Sequence, residues 1–93
     1  MIKSFSDSRT EQIFSGQRIK GLDQDLQKKA LRRLRYIDAA TSLDDLRVPP
    51  SNKLEKKEGT LKGYYGTWVN KQWRIIFRCV EGDAHDVQLV DKH

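Results

Sequence analysis

The sequence predicts an α+β fold with the element order β-α-α-β-β-β, in which two helices cover one face of a mostly antiparallel, twisted sheet. Three observations carry this. In Gln72–Val80, Trp73, Ile75, Phe77 and Cys79 alternate with Gln72, Arg74, Ile76 and Arg78, the period of a strand with one dry and one cationic face. After Asp23, the residues Leu26, Ala30, Leu34 and Ile37 recur at helical spacing, with Leu31 alongside. After Lys62, three strand-like stretches are separated only by short turn signals.

Met1–Phe5 reads as a first strand at a sheet edge. Ser8-Arg9-Thr10-Glu11 has the form of a capping box, opening a short helix over Ser8–Phe14 that Gly16 ends. Asp23 is the expected N-cap of the main helix, and Asp25 suits the positive end of its dipole. Lys28, Lys29, Arg32, Arg33 and Arg35 cover the rest of that helix, as a solvated face or in part as a track for phosphates. One further turn is expected at Ser42–Leu46, and Pro49-Pro50 stops it. Ser51–Lys62 is a polar connection with four lysines against two glutamates, a length and character often tied to function.

The three remaining strands are expected at Gly63–Val69, Gln72–Val80 and Ala84–Asp91. Asn70-Lys71 suits a two-residue hairpin, which places Trp68 opposite Trp73, Gly66 opposite Ile75 and Tyr64 opposite Phe77. Tyr65 and Thr67 then share the cationic face with Arg74. A three-residue loop, Glu81-Gly82-Asp83, pairs Phe77 with Val87, Ile75 with Leu89, Arg78 with Asp86, Ile76 with Gln88, Arg74 with Val90 and Gln72 with Lys92.

Ninety-three residues make one domain, residues 1–93. The charged fraction of 33% is balanced by an apolar 37%, so the chain is polar for a folded domain without a disordered composition. Its net charge of +5 favours a polyanion such as nucleic acid. One cysteine excludes an intrachain disulfide and a cysteine metal cage. No apolar run approaches a membrane span, and Met1–Phe5 has no signal-peptide core, so a cytoplasmic chain is expected.

The chemistry collects at the C-terminal end of the sheet. Asp91, Lys92 and His93 follow the last strand, and Lys92 is expected opposite Gln72, beside Arg74. A histidine, a carboxylate and two cations are the parts that cleave RNA without a metal: a base for the 2′-OH, a cation for the pentavalent phosphate and an acid for the leaving oxygen. Tyr65 is a candidate for stacking on a base, and Lys57, Lys62, Gln72 and Arg78 for binding RNA. Strict alternation sends Asp91 and His93 to the Trp73 face, so the cluster requires a bulge or a departure from strand geometry. His85, His93 and Cys79 form no familiar metal spacing, and no cofactor is expected. Cys79, Trp68 and Trp73 read as core.

Met1-Ile2-Lys3-Ser4-Phe5, Ile37-Asp38-Ala39-Ala40-Thr41, Leu46-Arg47-Val48-Pro49-Pro50 with Lys53-Leu54, Gln72-Trp73-Arg74-Ile75-Ile76-Phe77 and the ending Val90-Asp91-Lys92-His93 resemble, in this order, HigB-type toxins of the RelE superfamily, the plasmid maintenance killer branch of type II toxin–antitoxin modules. The resemblance implies a microbial-ribonuclease-like fold and cleavage of mRNA in the ribosomal A site. It further implies inhibition by a HigA-type helix-turn-helix antitoxin, through which operator DNA is bound. It matches the family's catalytic arginine to Arg74, and its C-terminal histidine and aspartate to His93 and Asp91. The family commonly ends Asp-Tyr-His, and in this chain Lys92 takes the Tyr position. A basic loop residue of the family aligns with Glu58, with Lys57 adjacent. Two alternatives stand beside cleavage: a module that binds RNA or the ribosome without cutting, and a co-repressor within a DNA-bound toxin–antitoxin complex.

Overall fold

Both helices begin where a short acidic side chain takes up an otherwise orphaned backbone N–H. In the computed structural model, which describes residues 1–59 and 63–92, helix α1 spans Ser8–Phe14 and is capped by Asp7, whose carboxylate accepts from the Thr10 N–H at 2.7 Å. The cap therefore falls one residue before the expected Ser8. Its carboxylate adds charge at the positive helix end, which a serine lacks. Helix α2, Gln24–Ala39, is capped by Asp23 as predicted, with the Leu26 N–H at 3.0 Å. Asp7→Ala is expected to cost about 1 kcal/mol in chemical denaturation, whereas Ser8→Ala, at an exposed first-turn position, costs a few tenths at most. Equal losses would return the cap to Ser8.

After α2 the chain makes two 3₁₀ turns, Leu43–Arg47 and Pro50–Asn52. It then enters a four-stranded antiparallel sheet in the order β1 (Glu55–Lys56), β2 (Tyr64–Trp68), β3 (Trp73–Val80), β4 (Asp83–Asp91). The short β1 lies inside the stretch read as a polar connection. Met1–Phe5 forms two isolated parallel bridges, Ile2 to Ala84 and Phe5 to Val87, where an edge strand was expected. Beyond them, α1 takes over the edge of β4: Thr10 Oγ1 accepts from the Leu89 N–H at 2.9 Å, and Arg9 donates to the Leu89 carbonyl at 3.0 Å. The outer edge of β4 is thus covered along much of its length, which shields it from strand addition.

The helices bury Ile13, Leu26, Ala30, Leu34 and Ile37 against Ile75, Phe77, Ala84, Val87 and Leu89, and these form one core. The opposite sheet face carries Arg74, Ile76 and Arg78 from β3, with Tyr64, Gly66 and Trp68 paired across from them on β2. This corrects the β2–β3 register by one residue. The turn holds three residues, Asn70–Gln72, because the Asn70 side chain accepts from the N–H groups of Gln72 and Trp73 at 2.9 and 2.8 Å and widens it. Tyr65 and Thr67 move to the helix side, where Tyr65 stacks on Phe77 with ring centroids 6.3 Å apart. Trp68 moves to the outer face.

The β3–β4 register is as predicted from Trp73–Asp91 to Ile76–Gln88, then shifts. Asp86, with φ 55°, bulges, so Arg78 pairs with His85 and the turn shortens to Glu81-Gly82, φ 51° and 83°. Two consecutive positive φ values are the turn that matches strand twist. Gly82 is required there twice over, since a Cβ would lie 2.5 Å from the Thr41 carbonyl oxygen.

Candidate functional site

The outer sheet face owes its character to what lies across from Arg74. Residues opposite each other on antiparallel strands have neighbouring side chains, and the partner of Arg74 is Trp68. The Arg74 guanidinium carbon lies 3.6 Å from the centroid of the Trp68 ring, and the side chain is only 4% exposed. Its Nη1 donates to the carbonyls of Asn70 and Trp73. Among the described residues no carboxylate pairs with it, so its charge is held in place by carbonyl dipoles and an aromatic face but is not cancelled.

Trp68 is itself fixed. Its indole N–H donates to Glu55 Oε1 at 2.7 Å, and its carbonyl accepts from Arg33 Nε at 2.8 Å. The Lys53 ammonium lies 4.0 Å from the ring centroid. Lys53 holds the left-handed conformation, φ 46°, as the residue that turns the chain from the second 3₁₀ turn toward β1. Lys57 completes the cluster: its Nζ is 3.2 Å from Glu55 Oε2, and its Cε lies over Gly66, where a Cβ would approach it to 3.0 Å. Gly66 thus leaves a slot in the sheet face that a lysine stem fills.

The Glu55 carboxyl is held below its ordinary range, chiefly by the indole N–H bond and then by Lys57 and the nearby Lys92 charge, against a smaller opposing effect of burial. A carboxylate whose folded pKa is depressed contributes stability above its unfolded value, about 4.3, and loses it as pH falls through the folded one. Stability is therefore expected to fall more steeply between about pH 5 and pH 3 in the wild type than in Glu55→Gln. Matching acid limbs in urea titrations would contradict the coupling.

The predicted residues divide. Arg74 and Lys57 come together on the outer face. Lys92 is opposite Gln72 as expected, its N–H donating to the Gln72 carbonyl at 2.6 Å, and its charge reaches Glu55. Asp91 pairs in register with Trp73, on the helix side, and accepts from Gln72 Nε2 at 3.2 Å. The strand stays regular through Asp91, and its bulge falls at Asp86, so no bulge turns Asp91 toward Arg74. Arg78 shares the Arg74 face but sits about 13 Å along the strand and is ion-paired with Asp86 at 3.2 Å. Tyr65, the candidate for base stacking, is on the helix side, and Tyr64 takes its place outside. His93 and Lys62 lie outside the described residues. Trp68, Lys53 and Glu55 were not singled out for the site; a tryptophan facing an arginine across a hairpin was the available signal, and the two-residue turn concealed it. Of the basic run on α2, Arg33 is turned inward to Trp68 and Ser51, and Lys29 pairs with Asp25.

Among the described residues no helix is long and apolar enough to cross a membrane. The fold is similar to that of a chain in the YoeB–YefM complex from Staphylococcus aureus, with a TM-score of 0.64 at 16% identity over 100% of this chain and 98% of that one. It is similar also to YafQ from E. coli, with a TM-score of 0.60 at 16% identity over 98% and 91%. The scaffold is therefore the one these two chains share. More narrowly, residues 3–93 match the family of RelE-like toxins of the type II toxin–antitoxin system HigB, and the chain belongs to it, with an antitoxin as its partner. It is 38% identical to Toxin HigB-1 of Vibrio cholerae over 94 residues, covering 100% of this chain and 98% of that protein. It is 31% identical to Endoribonuclease HigB of Proteus vulgaris over 93 residues, covering 100% of both.

Proposed function

We propose that this toxin is a metal-independent endoribonuclease that cuts mRNA in the ribosomal A site. The observation that carries the reading is Arg74, a fixed arginine whose charge no described carboxylate cancels, on the sheet face that also presents Lys53, Lys57 and Lys92. The endoribonuclease name of the Proteus vulgaris relative supports the same reading.

In the reaction, a base removes the proton from a 2′-OH of the message. The 2′-oxygen bonds to the adjacent phosphorus, and the bond from phosphorus to the 5′-oxygen breaks. An acid returns a proton to that oxygen, leaving a 2′,3′-cyclic phosphate and a 5′-OH. Arg74 stabilises the charge that builds on the phosphorane. His93 carries a proton transfer, with Asp91 orienting it, and Lys92 adds positive charge. Lys57, Lys62, Gln72 and Arg78 hold phosphates of mRNA or rRNA, where Arg78 must exchange its Asp86 partner for RNA. A HigA-type helix-turn-helix antitoxin inhibits the toxin in the bacterial cytoplasm and carries it to operator DNA.

The test is a message incubated with the toxin, with and without translating ribosomes, followed by mapping of the new ends. Ribosome-dependent cuts ending in 2′,3′-cyclic phosphate are expected. An intact message with active ribosomes would overturn the reading. A second reading, a module that blocks translation by binding without cutting, is favoured by the 4% exposure of Arg74. It predicts arrested translation with no new ends in the same assay.

A further inference from the structure

We propose that Trp68 is a positioning residue for Arg74, holding its guanidinium ready for the phosphate; this rests on Arg74 acting as the phosphorane-stabilising group. Three observations carry it.

The first is how Arg74 is held. Among the described residues its Nε is buried without a hydrogen-bond partner, and only Nη1 is tied, to the carbonyls of Asn70 and Trp73. Those two bonds alone leave the guanidinium plane free to tilt. The indole ring 3.6 Å away fixes the plane by stacking and offsets part of the cost of burying the charge. An ion pair, such as the one between Arg78 and Asp86, holds an arginine equally well but cancels the charge that the reaction uses.

The second is how Trp68 is held. Arg33 takes its backbone carbonyl and Glu55 its indole N–H, and Lys57 secures the other Glu55 oxygen. The Trp68 backbone is fixed from α2 and its ring from β1, so the residue acts as a strut between the scaffold and the arginine.

The third is what Trp68 is not free to do. Its π surface already engages two cations, Arg74 and Lys53, and its one hydrogen-bond donor is committed to Glu55. A platform for a base would present an open face. The Trp68 ring is half-buried and already engaged by side chains of this chain.

Steady-state cleavage by Trp68→Leu and Trp68→Phe tests the proposal, with the fold of each variant checked by its thermal midpoint. Trp68→Leu removes the π face and is expected to lower kcat about 30-fold, the size of a desolvated cation–π contact, with KM unchanged. Trp68→Phe keeps a ring and recovers most of kcat. In an Arg74→Ala background, Trp68→Leu causes no further loss, because Trp68 acts through Arg74. A rise in KM with kcat unchanged would make Trp68 a base platform and overturn the proposal. So would full activity of a folded Trp68→Leu protein while Arg74→Ala is inactive. If Arg74→Ala itself cleaves normally, the reading of the site fails instead. Should Trp68→Leu not fold, NMR of the wild type decides. The Arg74 Nε–H signal is expected to be shifted upfield by the indole ring current and protected from solvent exchange. A freely exchanging signal at the ordinary arginine position would overturn the proposal without any variant.

Discussion

Replacing Arg74 by alanine is expected to lower mRNA cleavage about 10²–10³-fold, the cost of removing one preorganised group that stabilises developing charge in a transition state. The loss should fall on kcat, because the guanidinium is buried beneath Trp68 and meets the substrate most strongly as charge builds on the phosphorus. Arg74→Lys keeps the charge but cannot reach the Asn70 and Trp73 carbonyls while lying flat on the indole. It should recover only part of the rate. Cleavage rates of the two variants on one translating message, with thermal midpoints alongside, check both expectations. Arg74→Ala at wild-type rate would remove the outer face from the chemistry.

The largest effect on stability is expected at Phe77. The ring is 1% exposed, stacks on Tyr65 and belongs to the core that the helices and sheet share. It also sits where β4 bulges, with the ladder shifting between Ile76 and Arg78. Phe77→Ala should therefore cost about 3–5 kcal/mol, a large share of the roughly 5–15 kcal/mol typical of a domain. Urea unfolding should show a lower midpoint with a similar slope. A loss below about 1 kcal/mol would mean that the core closes around the missing ring more completely than large-to-small core changes allow.

Much of this architecture is legible in the sequence, for reasons that can be stated residue by residue. Helix α2 announces itself because Leu26, Ala30, Leu34 and Ile37 keep one period over three turns and Asp23 stands where a cap is needed. The lower half of the β3–β4 pairing is legible because Ile75 and Leu89 are apolar and interior on both strands, so a one-residue slip would expose them. The β2–β3 register is not. Tyr64, Tyr65, Thr67 and Trp68 give both faces of β2 large side chains around Gly66, so alternation does not choose between them. The turn had to decide, and the Asn70 side chain added a residue to it. The bulge at Asp86 is hidden for a related reason: a non-glycine residue at positive φ leaves little mark on the pattern.

The same slip separated Arg74 from its aromatic partner. Read with a two-residue turn, Trp68 belongs to the core and Tyr65 to the outer face. Folded, the two exchange places, and the arginine that the central strand pattern and the HigB resemblance both single out acquires a tryptophan, which Lys53 and Glu55 contact in turn and Lys57 supports through Glu55. Charge pattern alone could not supply those neighbours, because Lys53, Glu55 and Lys57 come from a connection with no periodicity to place them.

The most direct test of the proposed chemistry is to remove the nucleophile from the substrate. Once the cut site on a translating message is mapped, a message carrying a single 2′-deoxynucleotide on the 5′ side of that bond should resist cleavage there while still being translated. Cleavage at the deoxy position at the normal rate would contradict attack by the substrate's own 2′-OH, and with it the roles of Arg74 and its surroundings in the reaction.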